Sequence, residues 1–253
     1  MGSRGYGDWE EPQHTVEFTP IPGRSDGVAF WLQDTPVTQR QFRVWVSSRD
    51  YAEWRHREQQ SLQHENYFAE RPDAPAESLN WFDAGGYCDW LGSRRWSRDS
   101  VPVLSDSLVR FGLPLEVEWE YACRAGSDTE FWSGDGEAAL SEVGWYSGSA
   151  DSRIHAVGEL PANPFGLYDM HGNVAEWCAD VWDGTAHRDR PPRSLHDFLV
   201  HRQVAGEAER KRRRVARGGG WVEPARRCRS AFRDWWGPDS RHLFLGFRVC
   251  LFP

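Results

Sequence analysis

Asn163-Pro-Phe-Gly-Leu-Tyr-Asp-Met-His-Gly-Asn-Val-Ala-Glu-Trp177 is the stretch whose reading decides the fold. Gly166 and Gly172 stand where a backbone must turn or pack closely. Phe165, Leu167, Tyr168, Met170 and Trp177 fill the intervals between them with large apolar side chains. Asp169, Asn173 and Glu176 bring groups able to hold a charge or a hard cation. The mixture follows neither the helical period nor strand alternation. It predicts an irregular core loop running into a strand over Glu176–Asp180. Two readings stand at this point: a buried turn with satisfied polar groups, or a metal site built from oxygen ligands.

The 253 residues are enough for one large domain or two small ones. Hydrophobic content is 39%, but 15 Trp and 13 Phe carry enough apolar area for a core. A net charge of −8 argues against general nucleic-acid binding. No run has the length and hydropathy of a membrane span, and no signal peptide opens the chain. The five cysteines, Cys88, Cys123, Cys178, Cys228 and Cys250, form no Cys-x-x-Cys pair. That odd count opposes a zinc ribbon or a disulfide framework and predicts buried, reduced thiols in a cytoplasmic protein.

Taken in order, His14–Phe18 and Gly27–Leu32 read as strands. Thr38 caps a helix over Gln39–Ser48, with Phe42, Trp45 and Val46 on one face. Residues 51–79 are charged and irregular and predict a surface excursion; His56 and His64 show no metal spacing. Asn80 precedes a helix over Trp81–Arg94, and a third runs from Leu115 to Ala125, ended by Gly126. Glu116, Glu118 and Glu120 alternate rather than share a helical face, which predicts solvated or capping roles. Asp128–Ser152 reads as loop. Residues 183–214 form a polar, basic insertion, with a short helix over Leu195–Ala205. Arg226–Arg233 and Leu245–Leu251 alternate as strands, and Trp236-Gly-Pro-Asp239 makes a turn between them. The sum is an α+β domain rich in irregular structure.

The chain resembles the superfamily of formylglycine-generating enzymes and sulfatase-modifying factors. Pro36–Phe42, Asn80–Leu91 and Leu113–Tyr121 are similar to its helical motifs. Asn163–Trp177, Arg217-Gly-Gly-Gly-Trp221, Arg229-Ser-Ala-Phe-Arg233 and Gly246-Phe-Arg-Val249 are similar to its later signatures. The resemblance implies a variant of the C-type lectin fold, a single domain over 1–253 in which 183–214 is an insertion. Family members usually have a strand ahead of the point where Met1-Gly-Ser3 aligns. The resemblance therefore implies a missing first strand and a place in a larger protein or assembly. It also implies a structural calcium ion held by Asp169, the carbonyls of Gly172 and Val174, and Glu176, which are hard oxygen donors. The enzymes' copper site takes two cysteines; here the interval Trp221–Arg229 holds Cys228 alone, and thiolate–copper chemistry needs both soft ligands. The histidine triad of the ergothioneine-type sulfoxide synthases has no counterpart.

The C-terminal segment is similar to that of the variable proteins of diversity-generating retroelements, whose last loops form a ligand surface. On that resemblance the recognition residues are Val222, Glu223, Pro224, Phe232, Asp234, Trp236, Ser240, His242, Leu243 and Phe244. Glu223 departs from the pattern, because the usual asparagine template codon could not give it. Apolar and aromatic residues on a loop make good binding anchors. The sequence thus implies a non-catalytic domain that binds a protein or small-molecule ligand. The alternative is a metal-dependent oxidoreductase acting on a peptide or thiol.

Overall fold

The computed structural model describes residues 16–22, 30–57, 71–94, 110–184 and 211–252. The expected helix over Leu195–Ala205, His64 and the first residues of the chain lie outside them. In chain order the elements are β1 (Phe18–Ile21), β2 (Phe30–Gln33), α1 (Gln39–Val46), α2 (Arg49–Arg57), α3 (Trp81–Gly92), β3 (Arg110–Gly112), α4 (Glu116–Arg124), α5 (Gly136–Ser141), β4 (Ala175–Val181), β5 (Arg214–Arg217), β6 (Asp234–Trp236), β7 (Leu245–Gly246) and β8 (Cys250–Phe252). The result is α+β, as expected.

The helices that the sequence predicts begin where their caps say. Thr38 Oγ1 accepts the Gln41 N–H at 3.2 Å, and Gln41 Oε1 accepts the Thr38 N–H at 2.9 Å. Asn80 and Asp83 form the same reciprocal capping box at the start of α3, with bonds of 2.9 and 2.8 Å. Each box satisfies backbone donors that a helix start leaves unpaired. At α4 the Glu118 carboxylate accepts the Leu115 N–H at 2.7 Å, the capping role expected of that residue. The helix ends on Ala125 in the left-handed region at φ 45°, one residue before Gly126.

The surface excursion over 51–79 needs correction within the described residues. Its first turns are helical, because Tyr51 and Trp54 both pack on Trp45, at ring-centroid separations of 4.8 and 5.0 Å. Its last part is core: Ala74, Ala76 and Leu79 are buried, and the Ala76 N–H reaches the Val37 carbonyl at 2.7 Å. Arg226–Arg233 is likewise not a strand. It holds a 3-10 turn over Ala225–Arg227, and the strand β6 follows one residue after Arg233. The helix α5 stands within the stretch read as loop.

Two sheets organise the molecule, in the orders β1-β2-β8-β3 and β6-β5-β4-β7. Strand β8 pairs antiparallel with β2 and β3, joining the last described strand to an early one. Strand β4 pairs antiparallel with β5 and parallel with β7. Trp45, Trp81, Trp119 and Trp177 are fully buried in the cores beside these sheets. Each indole removes on the order of 200 Å² from water, so a few of them replace many aliphatic residues.

Candidate functional site

The Asn163–Trp177 loop is held by its own polar groups. Asn163 Oδ1 accepts the N–H groups of Phe165 and Leu167, while its Nδ2 donates to the Ala122 carbonyl at 2.7 Å. Asp169 and Asn173 both take left-handed backbone conformations, at φ 54° and 60°. Asn173 Nδ2 donates to Asp169 Oδ1 at 3.2 Å, and the Gly158 N–H donates to Asp169 Oδ2 at 2.8 Å. Buried His171 bonds the Cys228 carbonyl through Nδ1 at 2.8 Å and accepts the Trp132 N–H through Nε2 at 3.1 Å. Those two bonds fix a neutral tautomer that donates from Nδ1. Burial lowers its pKa to about 4.

That loop also carries the C-terminal segments. The Gly172 N–H donates to the Gly218 carbonyl, the Trp221 N–H to the Asn173 carbonyl, and the Ala175 N–H to the Phe244 carbonyl, at 2.9, 3.0 and 2.7 Å. Trp221 Nε1 donates to the Leu243 carbonyl at 3.0 Å. The 218–224 and 242–245 loops are thereby brought side by side, with two of the predicted recognition residues, Val222 (41%) and Leu243 (38%), exposed. Trp236, His242 and Phe244 gather beside them. The His242 ring lies 4.2 Å from that of Trp236 and stacks on Phe244 at 5.2 Å. All three are half-buried, with Trp236 and Phe244 leaning on the main core.

The remaining predicted residues divide. Phe232 is half-exposed beneath the Arg227 guanidinium, 5.7 Å from its ring centre. Asp234 pairs with Arg227 at 3.2 Å, and Pro224 and Ser240 are half-exposed at loop bends. Glu223 points inward: it is buried, pairs with Arg227 at 2.8 Å and accepts the Gly220 N–H at 3.1 Å. Its role is to close the loop.

Of the donors expected to hold calcium, Glu176 is engaged by a cation of the chain itself. The Arg248 guanidinium grips both oxygens of Glu176, through Nη2–Oε1 and Nε–Oε2 bonds of 2.7 Å each. The Trp119 indole donates to Glu176 Oε2 as well, at 2.8 Å. Arg248 reaches on to the carbonyls of Gln33, Asp34 and Tyr168. Glu176 is thus committed to an internal cation, and Asp169 alone of the two carboxylates lacks one. No cluster of three or more metal-ligating side chains occurs among the described residues.

Glu116 was expected to be solvated or capping, and this is corrected too. It is buried, bonded by Arg217 at 2.7 Å and by Arg233 at 2.6 and 2.8 Å. Arg217 also reaches Glu120 at 2.7 Å, and the i,i+4 spacing of Glu116 and Glu120 turns both toward it. The network ties α4 to β5 and to the segment that precedes β6. Sequence reasoning also missed Trp235, whose ring lies 3.5 Å from the Arg213 guanidinium. The basic–aromatic pairing along 213–236 was the available signal. All five cysteines are free and buried, and burial raises the pKa of the Cys228 thiol, disfavouring the thiolate that a metal or an oxidant needs.

This combination of two small sheets, an irregular pinned loop and displayed C-terminal loops is a C-type-lectin-like α+β domain. The chain belongs to the sulfatase-modifying factor enzyme 1-like domain family, which it matches over residues 1–251. The formylglycine-generating enzyme of Thermomonospora curvata is 29% identical over 73% of this chain and 57% of its own length. The hercynine oxygenase of Mycolicibacterium smegmatis is 28% identical over 96% of this chain and 55% of its own. The chain therefore spans about half the length of such relatives. Among solved structures, Treponema denticola variable protein 1 matches with a TM-score of 0.65 and 25% identity, over 93% of this chain and 95% of that one. No helix among the described residues is long and apolar enough to cross a membrane.

Proposed function

We propose that this domain is a non-catalytic binding module whose C-terminal loops are its recognition surface. The observation that carries the reading is the juxtaposition of exposed Val222 and Leu243 with the Trp236–His242–Phe244 ring cluster, on loops bonded to a rigid core. Aromatic anchors on a pre-organised backbone lose little entropy on binding. The likeness to a variable protein over nearly the whole of both chains supports it. So does the cysteine pattern, in which Cys228 is single in its interval and buried. A coding near-repeat of residues 217–250 beside a reverse-transcriptase gene would identify the segment as diversified. An invariant 217–250 region across strains with no such neighbour would remove that part of the reading.

The relatives named as a formylglycine-generating enzyme and a hercynine oxygenase favour a second reading, a metal-dependent oxidoreductase. Anaerobic copper or iron titration with a cysteine-containing sulfatase-type peptide separates the two. Binding alone predicts no stoichiometric metal uptake and no oxygen-dependent change in the peptide. Both together would establish the enzyme instead.

A further inference from the structure

A cavity of about 240 Å³ opens between residues 130–137 and the segment that begins with the 3-10 turn Ala225–Arg227. None of the candidate recognition residues lines it. The two segments bring opposite charges to it. The first contributes Glu130 and Glu137, the second Arg226 and Arg229. Phe131 and Ala225 are buried and give the cavity an apolar floor. The four charged residues are partly or fully exposed, so the charge lies at its edge, open to solvent and to a ligand.

Backbone bonds fix both walls. Phe131 and Gly134 exchange two N–H to carbonyl bonds, at 3.0 and 3.1 Å, and the Glu130 N–H donates to Asp135 Oδ1 at 2.8 Å. Opposite them, the Cys228 N–H donates to the Ala225 carbonyl at 2.9 Å. The Ser230 N–H reaches across to the Glu130 carbonyl at 2.8 Å and ties one wall to the other. The side chains on these walls hold each other loosely. Arg229 Nη1 stands 3.5 Å from Glu130 Oε1, with both side chains 43% exposed, and an exposed pair at that separation contributes little. Arg229 Nε bonds the Arg226 carbonyl at 3.0 Å. Glu130 Oε2 accepts the Gly136 N–H at 3.1 Å, and Glu137 Oε2 meets the Tyr146 hydroxyl at 3.5 Å.

We propose that this cavity binds a free α-amino acid with an aliphatic side chain. The arginines take its carboxylate, the glutamates take its ammonium group, and Phe131 and Ala225 receive its side chain. Size and charge both select this class. Drug-sized ligands fill roughly 300–1,000 Å³, so a smaller molecule matches a cavity of about 240 Å³. A zwitterion meets both walls with charge-assisted bonds, and a guanidinium can hold a carboxylate through two parallel bonds. A diacid would face the two glutamates, and a diamine the two arginines, so like charge rejects each of them. This site is separate from the C-terminal recognition residues, and it stands or falls independently of them.

The test is an NMR titration of the intact chain at neutral pH, following the backbone amides of Glu130, Gly136 and Arg226. The probes are L-leucine, N-acetyl-L-leucine, which lacks the ammonium charge, and L-leucine amide, which lacks the carboxylate. Leucine is expected to shift all three amides saturably, with a Kd below about 1 mM. Each capped probe should bind at least tenfold more weakly. Arg226→Gln and Glu137→Gln change exposed side chains and should leave the melting curve in place. Each should weaken leucine at least fivefold. Arg226→Gln should also narrow the gap between leucine and leucine amide, and Glu137→Gln the gap between leucine and N-acetyl-leucine. Those paired losses report which wall reads which charge, and a merely structural role would not produce them. Absence of a saturable response to leucine, equal affinity for the three probes, or full leucine affinity in either variant overturns the proposal.

Discussion

Arg248 and Glu176 show how one pair of residues sets the centre of this molecule. Both are fully buried; each neutralises the other's charge through two bonds, and backbone carbonyls and the Trp119 indole take up the remaining hydrogen-bonding capacity. Removing one partner strands the other, so Arg248→Met should cost about 3–5 kcal/mol in urea unfolding at neutral pH. Arg248→Met combined with Glu176→Gln should cost clearly less than the two separate losses added together. A single-variant loss below about 1 kcal/mol would contradict the geometry. Acids without such a cation behave oppositely. Burial pushes Glu77 to about 7 and Asp169 and Asp180 to about 6. The folded chain therefore holds protons that the unfolded chain has released. Their contribution is full at low pH and is lost as pH rises from the ordinary carboxylate range through 6 to 7. Stability measured from pH 5 to 8 should fall across that window, and Glu77→Gln should flatten part of the slope. His171 runs the other way: its folded pKa of about 4 makes its stabilisation full above about 6.5 and lost on acidification below that. An unchanged slope in Glu77→Gln would show that this carboxyl is not held protonated.

At the scale of elements, what the sequence shows and what it hides have physical causes. Helices α1, α3 and α4 were legible because their caps are local: Thr38, Asn80 and Glu118 act on backbone within three residues. Helix α2 was hidden because its six charged or polar positions dominate nine residues, and packing of Tyr51 and Trp54 on Trp45 fixes it. Arg226–Arg233 imitated a strand because alternate arginines suit one. Arg233 instead answers Glu116 on α4 and Arg229 answers Glu130, and no periodicity encodes partners so distant in sequence. The candidate recognition residues were named in advance by resemblance, yet the inward turn of Glu223 and the burial of Glu77 needed coordinates. The central loop gives a sharp test. A Cβ on Gly172, at φ 85°, would come within 2.1 Å of the Trp145 carbonyl. Gly172→Ala should therefore cost more than about 3 kcal/mol or prevent folding, read by thermal and urea unfolding. At Gly220 the added atom meets Phe244 Cβ at 2.6 Å instead. Gly220→Ala should push the 242–245 loop outward, shifting its amide resonances while the α3 and α4 amides stay in place. Resonance changes spread through both sheets would contradict the local account.

The whole molecule separates support from display. The two sheets, the buried indoles and the Arg248–Glu176 pair build a core. The Asn163–Trp177 loop then passes rigidity from that core to the C-terminal loops through backbone bonds. Since Glu176 already has its cation, calcium or a chelator should move the melting temperature by no more than about 1 °C. A saturable rise with calcium would show that the ion competes successfully for the loop. The central claim is that the C-terminal loops bind and the rest supports them. It is tested most directly by replacing Phe232, Trp236, His242 and Phe244 together with serine and measuring two quantities on the purified chain: the melting curve, and the affinity for a purified partner identified with the parent. The account predicts a cooperative melt that is retained and an affinity weakened by at least about a hundredfold, roughly 2.7 kcal/mol. A fully retained affinity, or loss of the cooperative melt itself, would contradict it.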